Sequence, residues 1–427
     1  MDSRQFVLFV TLAGMASCRT SARAPVAAVS SVGDAHVTAP AALPEGFVRV
    51  QTRAGPLVLP PPYHTPSVSH PAHVVARPHD AALRVPEGCT VTPFATGLAR
   101  PRQLAVSRYG EVFVTEVGAQ RVSRWVDSDN DGIAETHSVF ADGLTLPYGV
   151  VVHPEGWLYV ANTNAVLRWP LRQGQTRAQG PAVRVMSLPG LGYNQHWTRA
   201  LALSADGSRM VVSVGSETNV EAESDPMRGA ITECHADGTE CHRFAAGIRN
   251  ATALQVHPQT GALFAVNNER DELGDDLPPD AFSRIERGGF YGWPYAYWGP
   301  HEDPRRRGER RDLVAITRAF DVSLGAHSAP TGLLLATPHT LGGRLESDAL
   351  VSLHGSWNRS EFIGYHVVRV GMRGGEAVGP VVPWITGWTV HPGAVWGRPA
   401  GLGELPDGSV LVVDDTSNTV FRVSCLP

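Results

Sequence analysis

The chain contains no lysine: all 36 basic residues among its 427 are arginine. Any mechanism that runs through a lysine Schiff base or a lysine nucleophile is therefore excluded. It also lacks a basic field, because 41 acidic residues leave a formal charge of −5, and nucleic acid is not an expected partner. Long hydrophobic runs are missing as well; the apolar stretch Phe6 to Gly14 is too short to span a bilayer. What the chain does have is 43% hydrophobic residues with 44 glycines and 33 prolines, enough for a sizeable core cut by frequent turns. That balance points to many short strands.

At the N-terminus, Arg4, the run Phe6 to Gly14 and then Met15-Ala16-Ser17-Cys18 read as an export signal over 1–18. Small residues before a cysteine resemble a bacterial lipobox, so Cys18 is the expected lipid anchor of a periplasmic or outer-membrane lipoprotein, with plain secretion as the alternative. Residues 19–81, rich in Ala, Pro, Val, Ser and His without periodicity, read as a poorly ordered tether, and 82–427 as the folded domain.

After the tether the sequence repeats itself. Six segments share an apolar strand, a turn with glycine and a second apolar strand ending in a polar corner. They begin at Gln103, Gly149, Ala200, Ala253, Gly332 and Gly401. The first three steps are roughly 50 residues, the length of a four-stranded propeller blade, and the two longer ones imply inserted loops. The fold expected is all-β: a six-bladed β-propeller of four-stranded antiparallel blades. In such a ring the entries to the innermost strands converge on one funnel. His196, Arg249-Asn250 and Arg398 lead into the third, fourth and sixth repeats.

The stretch from Gly247 to Pro294 carries the densest chemistry. Five acids lie between Glu269 and Asp276, which repel one another unless a cation, an arginine or water intervenes. The plainer reading is a solvated loop. Gly288-Gly289-Phe290-Tyr291-Gly292-Trp293-Pro294 follows, a tight turn whose flat aromatic faces, Trp293 among them, suit a wall for a planar ring or a sugar.

Taken together these motifs resemble the soluble quinoprotein sugar dehydrogenases, in the glucose/sorbosone dehydrogenase branch that binds pyrroloquinoline quinone and calcium. The resemblance covers Leu83 to Val423 and rests on His196, Gly247-Ile248-Arg249-Asn250, Asn268 to Asp276, Gly288 to Pro294, His354-Gly355-Ser356-Trp357-Asn358-Arg359 and Gly397-Arg398-Pro399. It implies that His196 is the general base, that Arg249, Asn250 and Arg398 hold the quinone, and that Ca2+ sits by Glu269, Arg270, Asp271 and Asp276. It also implies a sugar or polyol substrate and an external electron acceptor. The glucose-oxidising members use a lysine at the quinone and a Gly-Pro pair at calcium. Here Arg359 stands in for the lysine, and Glu269-Arg270-Asp271 replaces the pair. Chemically, arginine suits a planar tricarboxylate by bidentate pairing and stacking.

Two other readings stay open: a calcium-dependent lactonase using Asn162, Asn164, Asn219, Asn268 and Asp414, and a binding-only propeller. Asp127-Ser128-Asp129-Asn130-Asp131-Gly132 has the first half of an EF-hand loop but Ser138 at the twelfth position, so a blade corner is expected. The basic run Arg305 to Arg311 reads as a solvated insertion. Export permits disulfides, and closure of a propeller by its first and last strands pairs Cys89 with Cys425. Cys234 and Cys241 either bridge a hairpin or bind a metal with His235 and His242.

Overall fold

The structure, a computed structural model, describes residues 42–190 and 196–426. Residues 1–18 and the Cys18 expectation lie outside the described part, as does most of unit Met1–Leu43; the compact unit runs from Pro44 to Pro427. Its regular structure is almost entirely strand, with a short helix at Arg311–Ala315. Among the described residues there are six four-stranded antiparallel sheets. Five are consecutive in sequence apart from one interrupted strand pair, and begin with Pro101–Val106, Gly149–His153, Leu201–Leu203, Ala251–Val256 and Pro330–Leu335. The sixth joins the chain's ends: Pro399–Glu404, Val410–Asp414 and Thr419–Cys425 are completed by Cys89–Thr96. Every paired strand expected from the repeats forms as an antiparallel pair.

The first strands of the six sheets pack against one another in cyclic order, the last returning to Pro101–Val106. Close approach there explains a glycine at a repeat start: a Cβ on Gly332 would lie 2.0 Å from the Ala400 carbonyl oxygen of the next first strand. The second strands are apolar on both sides, as in Val410–Asp414, because each sheet is buried between two others; Val112, Leu158, Met210, Phe264, Leu350 and Leu411 are fully buried. At the middle, the buried Tyr148 hydroxyl donates to the Thr252 carbonyl (3.0 Å) and accepts from Gln103 Nε2 (3.1 Å), which also donates to the Thr331 carbonyl (2.8 Å). Four sheets meet at that one hydroxyl.

Both expected disulfides form, Cys89–Cys425 across the closing strand pair and Cys234–Cys241 across the hairpin. The metal alternative for the second pair falls, since His235 and His242 turn to Glu240 and Glu233 instead.

The tether expectation is corrected over 44–81. Val48–Thr52 and Gly55–Leu59 form a hairpin that buries Val50 and Leu59 among Phe244, Ile248, Tyr291 and Trp298. The chain then crosses loops of the fourth and fifth sheets: Tyr63 N–H donates to the Leu273 carbonyl (2.9 Å), Thr65 Oγ1 accepts from Asp275 N–H (2.7 Å), and His70 N–H donates to the Trp357 carbonyl (2.6 Å). His73–Val74 ends as a parallel partner of Ala394–Val395. Backbone pairing and two buried side chains hold this strap where composition alone indicated disorder.

Candidate active site

His196 enters just ahead of Leu201–Leu203, and its ring is fixed by the loop after the neighbouring strand Arg209–Val214. Nδ1 lies 2.8 Å from the Ser216 carbonyl and 3.0 Å from its hydroxyl. A carbonyl oxygen only accepts, so Nδ1 carries the proton and Nε2 is the basic nitrogen. Gly215 allows this approach: a Cβ there would lie 2.4 Å from Asn250 Oδ1 and 2.7 Å from His196 Cβ. Burial and the nearby Arg249 cation pull the imidazole pKa down to about 3, against the Ser216 contact that raises it. His196 is therefore neutral across the physiological range. Arg199 adds to this, its guanidinium spent on the carbonyls of His196, Thr198, Thr163 and Pro189.

Arg249 and Asn250 precede the fourth sheet's first strand, and both are buried. Arg249 donates to the Glu269 carbonyl (2.7 Å) and Asn219 Oδ1 (3.0 Å), and pairs with Asp271 (3.1 Å). Asn250 N–H is capped by Asn267 Oδ1 (3.0 Å). Asn219 links the parts, its Oδ1 also accepting from Asp271 N–H (2.9 Å) and its carbonyl from Trp293 Nε1 (2.9 Å).

Three sets of expected site residues face other partners in this structure. Trp293 is 4% exposed, packed over Gly229 and tied to Asn219, so it supports Arg249 from behind. Arg359 turns to the acidic loop, donating to the Asp275 carbonyl and pairing with Asp276 at 2.8 Å. The side chains of Glu269, Arg270, Asp271 and Asp276 do not gather as metal ligands. Arg270 pairs with buried Asp303 (2.7 Å), Asp271 faces Arg249 and His327, Asp276 is exposed on Arg359, and Glu269 is buried beside Asn267. Each charge in the run has found a protein partner, which is how five acids coexist there. Glu269 is the exception: burial, reinforced by Asp280, pushes its carboxyl up to about 8 despite Arg249. Burial also raises Asp280, to about 6, while it accepts from the backbone N–H groups of Glu269 and Ala329, each at 2.8 Å.

Among the described residues, the acids that do gather are Asp127, Asp129, Asp131 and Glu135, in the corner between Arg121–Val126 and Thr136–Ala141. Glu135, at the ninth position, accepts there from Ser128 N–H and Oγ, each at 2.9 Å.

Arg398 stands on the same face, ahead of the sixth sheet's first strand. Its guanidinium lies over the Tyr365 ring (5.6 Å), and its Nε is buried without a hydrogen-bond partner. Beside it, Asp415 pairs with Arg102 and with His354 Nε2 (3.0 Å), while Arg102 reaches over Trp197 (5.6 Å), next to His196. Sequence reasoning missed Arg102, His327 and Asp280 as parts of this face. Arg102 lies inside its first strand, Pro101–Val106, whereas Arg249 and Arg398 precede theirs, so repeat position did not single it out. The basic run is also fastened here, Arg305 to Glu272 (2.8 Å) and Arg306 to the Val220 carbonyl (3.0 Å). It is a rim element, not a free insertion.

A cavity of about 1060 Å³ lies elsewhere: it is lined by the opposite ends of the first strands, at Val106, Val152, Leu203, Val256, Leu335 and Glu404, and touches neither His196 nor Arg398.

The fold is that of pyrroloquinoline-quinone sugar dehydrogenases. The holo form of the pyranose dehydrogenase PQQ domain from Coprinopsis cinerea matches with a TM-score of 0.70 at 19% identity, covering 81% of this chain and 97% of that one. The calcium structure of Trichoderma reesei carbohydrate-active enzyme family AA12 matches at 0.69 and 19%, covering 84% and 98%. The PQQ-bound aldose sugar dehydrogenase from Streptomyces coelicolor matches at 0.57 and 17%, covering 80% and 99%. In sequence, a family profile described as TrAA12-like matches residues 83–279. The Coprinopsis cinerea pyrroloquinoline quinone-dependent pyranose dehydrogenase is 24% identical over 400 residues, covering 80% of this chain and 54% of that protein. An uncharacterized Borreliella burgdorferi protein is 26% identical over 241 residues, covering 55% and 62%. The chain thus spans just over half the length of the curated relatives it matches.

Proposed function

We propose that this protein is a quinoprotein dehydrogenase that oxidises a sugar or related polyol by hydride transfer to pyrroloquinoline quinone. The carrying observation is a neutral His196, its basic nitrogen fixed by Ser216, beside buried Arg249 and Asn250 at neighbouring strand entries. We read the six sheets as blades of a closed six-bladed β-propeller, which the cyclic packing of their first strands supports.

The donor set fits the quinone. Arg398 Nε and Arg102 Nε are buried donors with no acceptor, on a face that also holds Arg249, and a planar tricarboxylate supplies acceptors for such groups. Arg398 and Arg249 would bind and orient it, with Asn250 beside them; when bound, the quinone supplies the hydride acceptor. The side chains expected to hold calcium do not fit that role, and no step is assigned to the ion. His196 Nε2 takes the proton of the substrate hydroxyl as the hydride leaves the same carbon, and the sealed rear wall of Trp293 and Asn219 holds Arg249 in place meanwhile.

A lactonase is less well supported. Asp414, its central carboxylate, is saturated by Arg398, Thr416 and Ser417 N–H groups and Trp388 Nε1, leaving little for a metal. Export to an oxidising compartment is part of the proposal and accords with two disulfides. Among the described residues no helix is long and apolar enough to cross a membrane. An external electron acceptor and a lipid on Cys18 complete the reading.

The test is reconstitution: purified apoprotein receives quinone with and without calcium, and dye reduction is followed with pyranoses, aldoses, polyols and sorbosone. A bound-quinone spectrum with sugar-dependent reduction is expected. Absence of both, with acid release from lactones on calcium alone, would establish the hydrolase instead.

A further inference from the structure

Of the ten tryptophans, Trp357 alone is exposed, at 45%; the others are buried or half-buried. Its loop is not loose. The Trp357 carbonyl accepts from His70 N–H (2.6 Å), Ser356 N–H donates to the Ile363 carbonyl (3.0 Å), and the Tyr365 hydroxyl donates to the Ser356 carbonyl. Asn358, 4% exposed, accepts from Glu272 N–H (2.8 Å) and donates to the Val68 carbonyl (2.6 Å). The large ring is thus held in water by a fixed backbone.

Tyr63 has the same character. It is 52% exposed, its φ is +64°, a conformation strained for a side chain of this size, and its N–H is bound to the Leu273 carbonyl at 2.9 Å. Glu272, which receives the Trp357 loop, is in the same region at φ +69°. Both rings are thus carried on backbone fastened to the run 272–275, directly after Asp271, the partner of Arg249. They come from different parts of the chain, the strap and the fifth sheet, to one rim.

We propose that Trp357, with Tyr63 on the same rim, is a carbohydrate subsite that stacks a pyranose ring other than the one being oxidised, so that the substrate is an oligosaccharide. The inference rests on the dehydrogenase reading. A pyranose presents an apolar C–H face that lies flat on an aromatic ring while its hydroxyls stay in water, and two rigid rings lose little entropy in receiving it. The ion pairs Glu272–Arg305 and Asp276–Arg359 on the same run, with Glu272, Arg305 and Asp276 exposed, offer the hydroxyls acceptors and donors.

Calorimetric titration of the apoprotein with cellotetraose, maltotetraose and glucose tests binding without the cofactor. Tetrasaccharide binding tighter than glucose is expected, weakened at least tenfold in Trp357→Ala, largely restored in Trp357→Phe and weakened less in Tyr63→Leu. In the reconstituted enzyme the ratio of kcat/KM for tetrasaccharide over glucose should fall about tenfold in Trp357→Ala, through KM. Equal tetrasaccharide binding by wild type and a folded Trp357→Ala, or none by wild type, overturns the subsite. Trp357-dependent binding in a protein that takes up no quinone and reduces no dye upholds the subsite and overturns the dehydrogenase reading alone.

Discussion

The proton on His196 is placed by Ser216: a carbonyl oxygen 2.8 Å from Nδ1 requires a donor there, which leaves Nε2 as the base. Two elements fix this tautomer together, the entry to one strand and the loop beyond its neighbour. His196→Ala is expected to stay folded and bind quinone, yet lose about 100- to 10,000-fold in turnover, the usual contribution of a general base. Near-normal turnover with quinone bound removes the assignment.

The depressed pKa of His196 can be read directly. In the apoprotein its imidazole should show no protonation by NMR between pH 7 and 5, whereas an ordinary histidine titrates near 6.5, with His196→Ala identifying the signal. Because the folded pKa lies below the unfolded one, the unfolded chain binds this proton first. Its contribution to stability is complete above pH 6.5 and is lost as pH falls toward 3. A midpoint above 6 would show that burial and Arg249 do not govern the ring.

Arg249 and Arg398 should part company on substitution. Arg398→Ala removes a guanidinium that has no carboxylate in ion-pair range among the described residues, so stability changes little while the quinone concentration for half-activation rises. Arg249→Ala also takes the ion-pair partner from half-buried Asp271, which keeps only His327, and should cost about 3 kcal/mol in the unfolding free energy. Denaturant melts paired with quinone titrations separate the two effects; equal stability loss in both variants would contradict the pairing.

Glu269 carries a proton at neutral pH, with a folded pKa of about 8 against an ordinary 4.5. The folded state holds that proton more tightly, so stability from this group is full below pH 4.5 and declines as pH rises to 8. Glu269→Gln keeps the acceptor for Asn267 and removes the titration, and should be more stable than wild type at pH 8.5 but not at pH 4.5. Asp280→Asn, by contrast, turns an amide on two backbone donors and should cost about 1–3 kcal/mol at pH 7. Thermal melts across this range decide both.

The Cys89–Cys425 bond closes 336 residues, and in the chain-entropy model such a crosslink is worth on the order of 5 kcal/mol. The double alanine variant should melt well below wild type while keeping strand content, since six further residue pairs join the same two strands. An unchanged melting temperature would show that the ladder alone closes the sheet.

The alternating apolar pairs at Gln103, Gly149, Ala200, Ala253, Gly332 and Gly401 were sufficient to place six strand pairs, because a residue's burial in a sheet follows from its parity and composition. Repeat position likewise singled out His196, Arg249 and Arg398, since equivalent positions of a repeat meet in space. What the sequence could not show is how charges choose partners. The acids from Glu269 to Asp276 looked like a cation site, and only the tertiary structure hands Asp271 to Arg249 and Asp276 to Arg359, 22 and 83 residues away along the chain, while Arg270 turns to Asp303 and Glu269 stays with its near neighbour Asn267. Trp293 and Trp357 are the same residue type, each in a loop rich in glycine or serine; one is walled in by Gly229 and Asn219 and the other is held in water by His70 and Asn358. That difference is decided by neighbours far away in sequence, above all by the strap before residue 82, whose composition gave no sign of the backbone partners awaiting it.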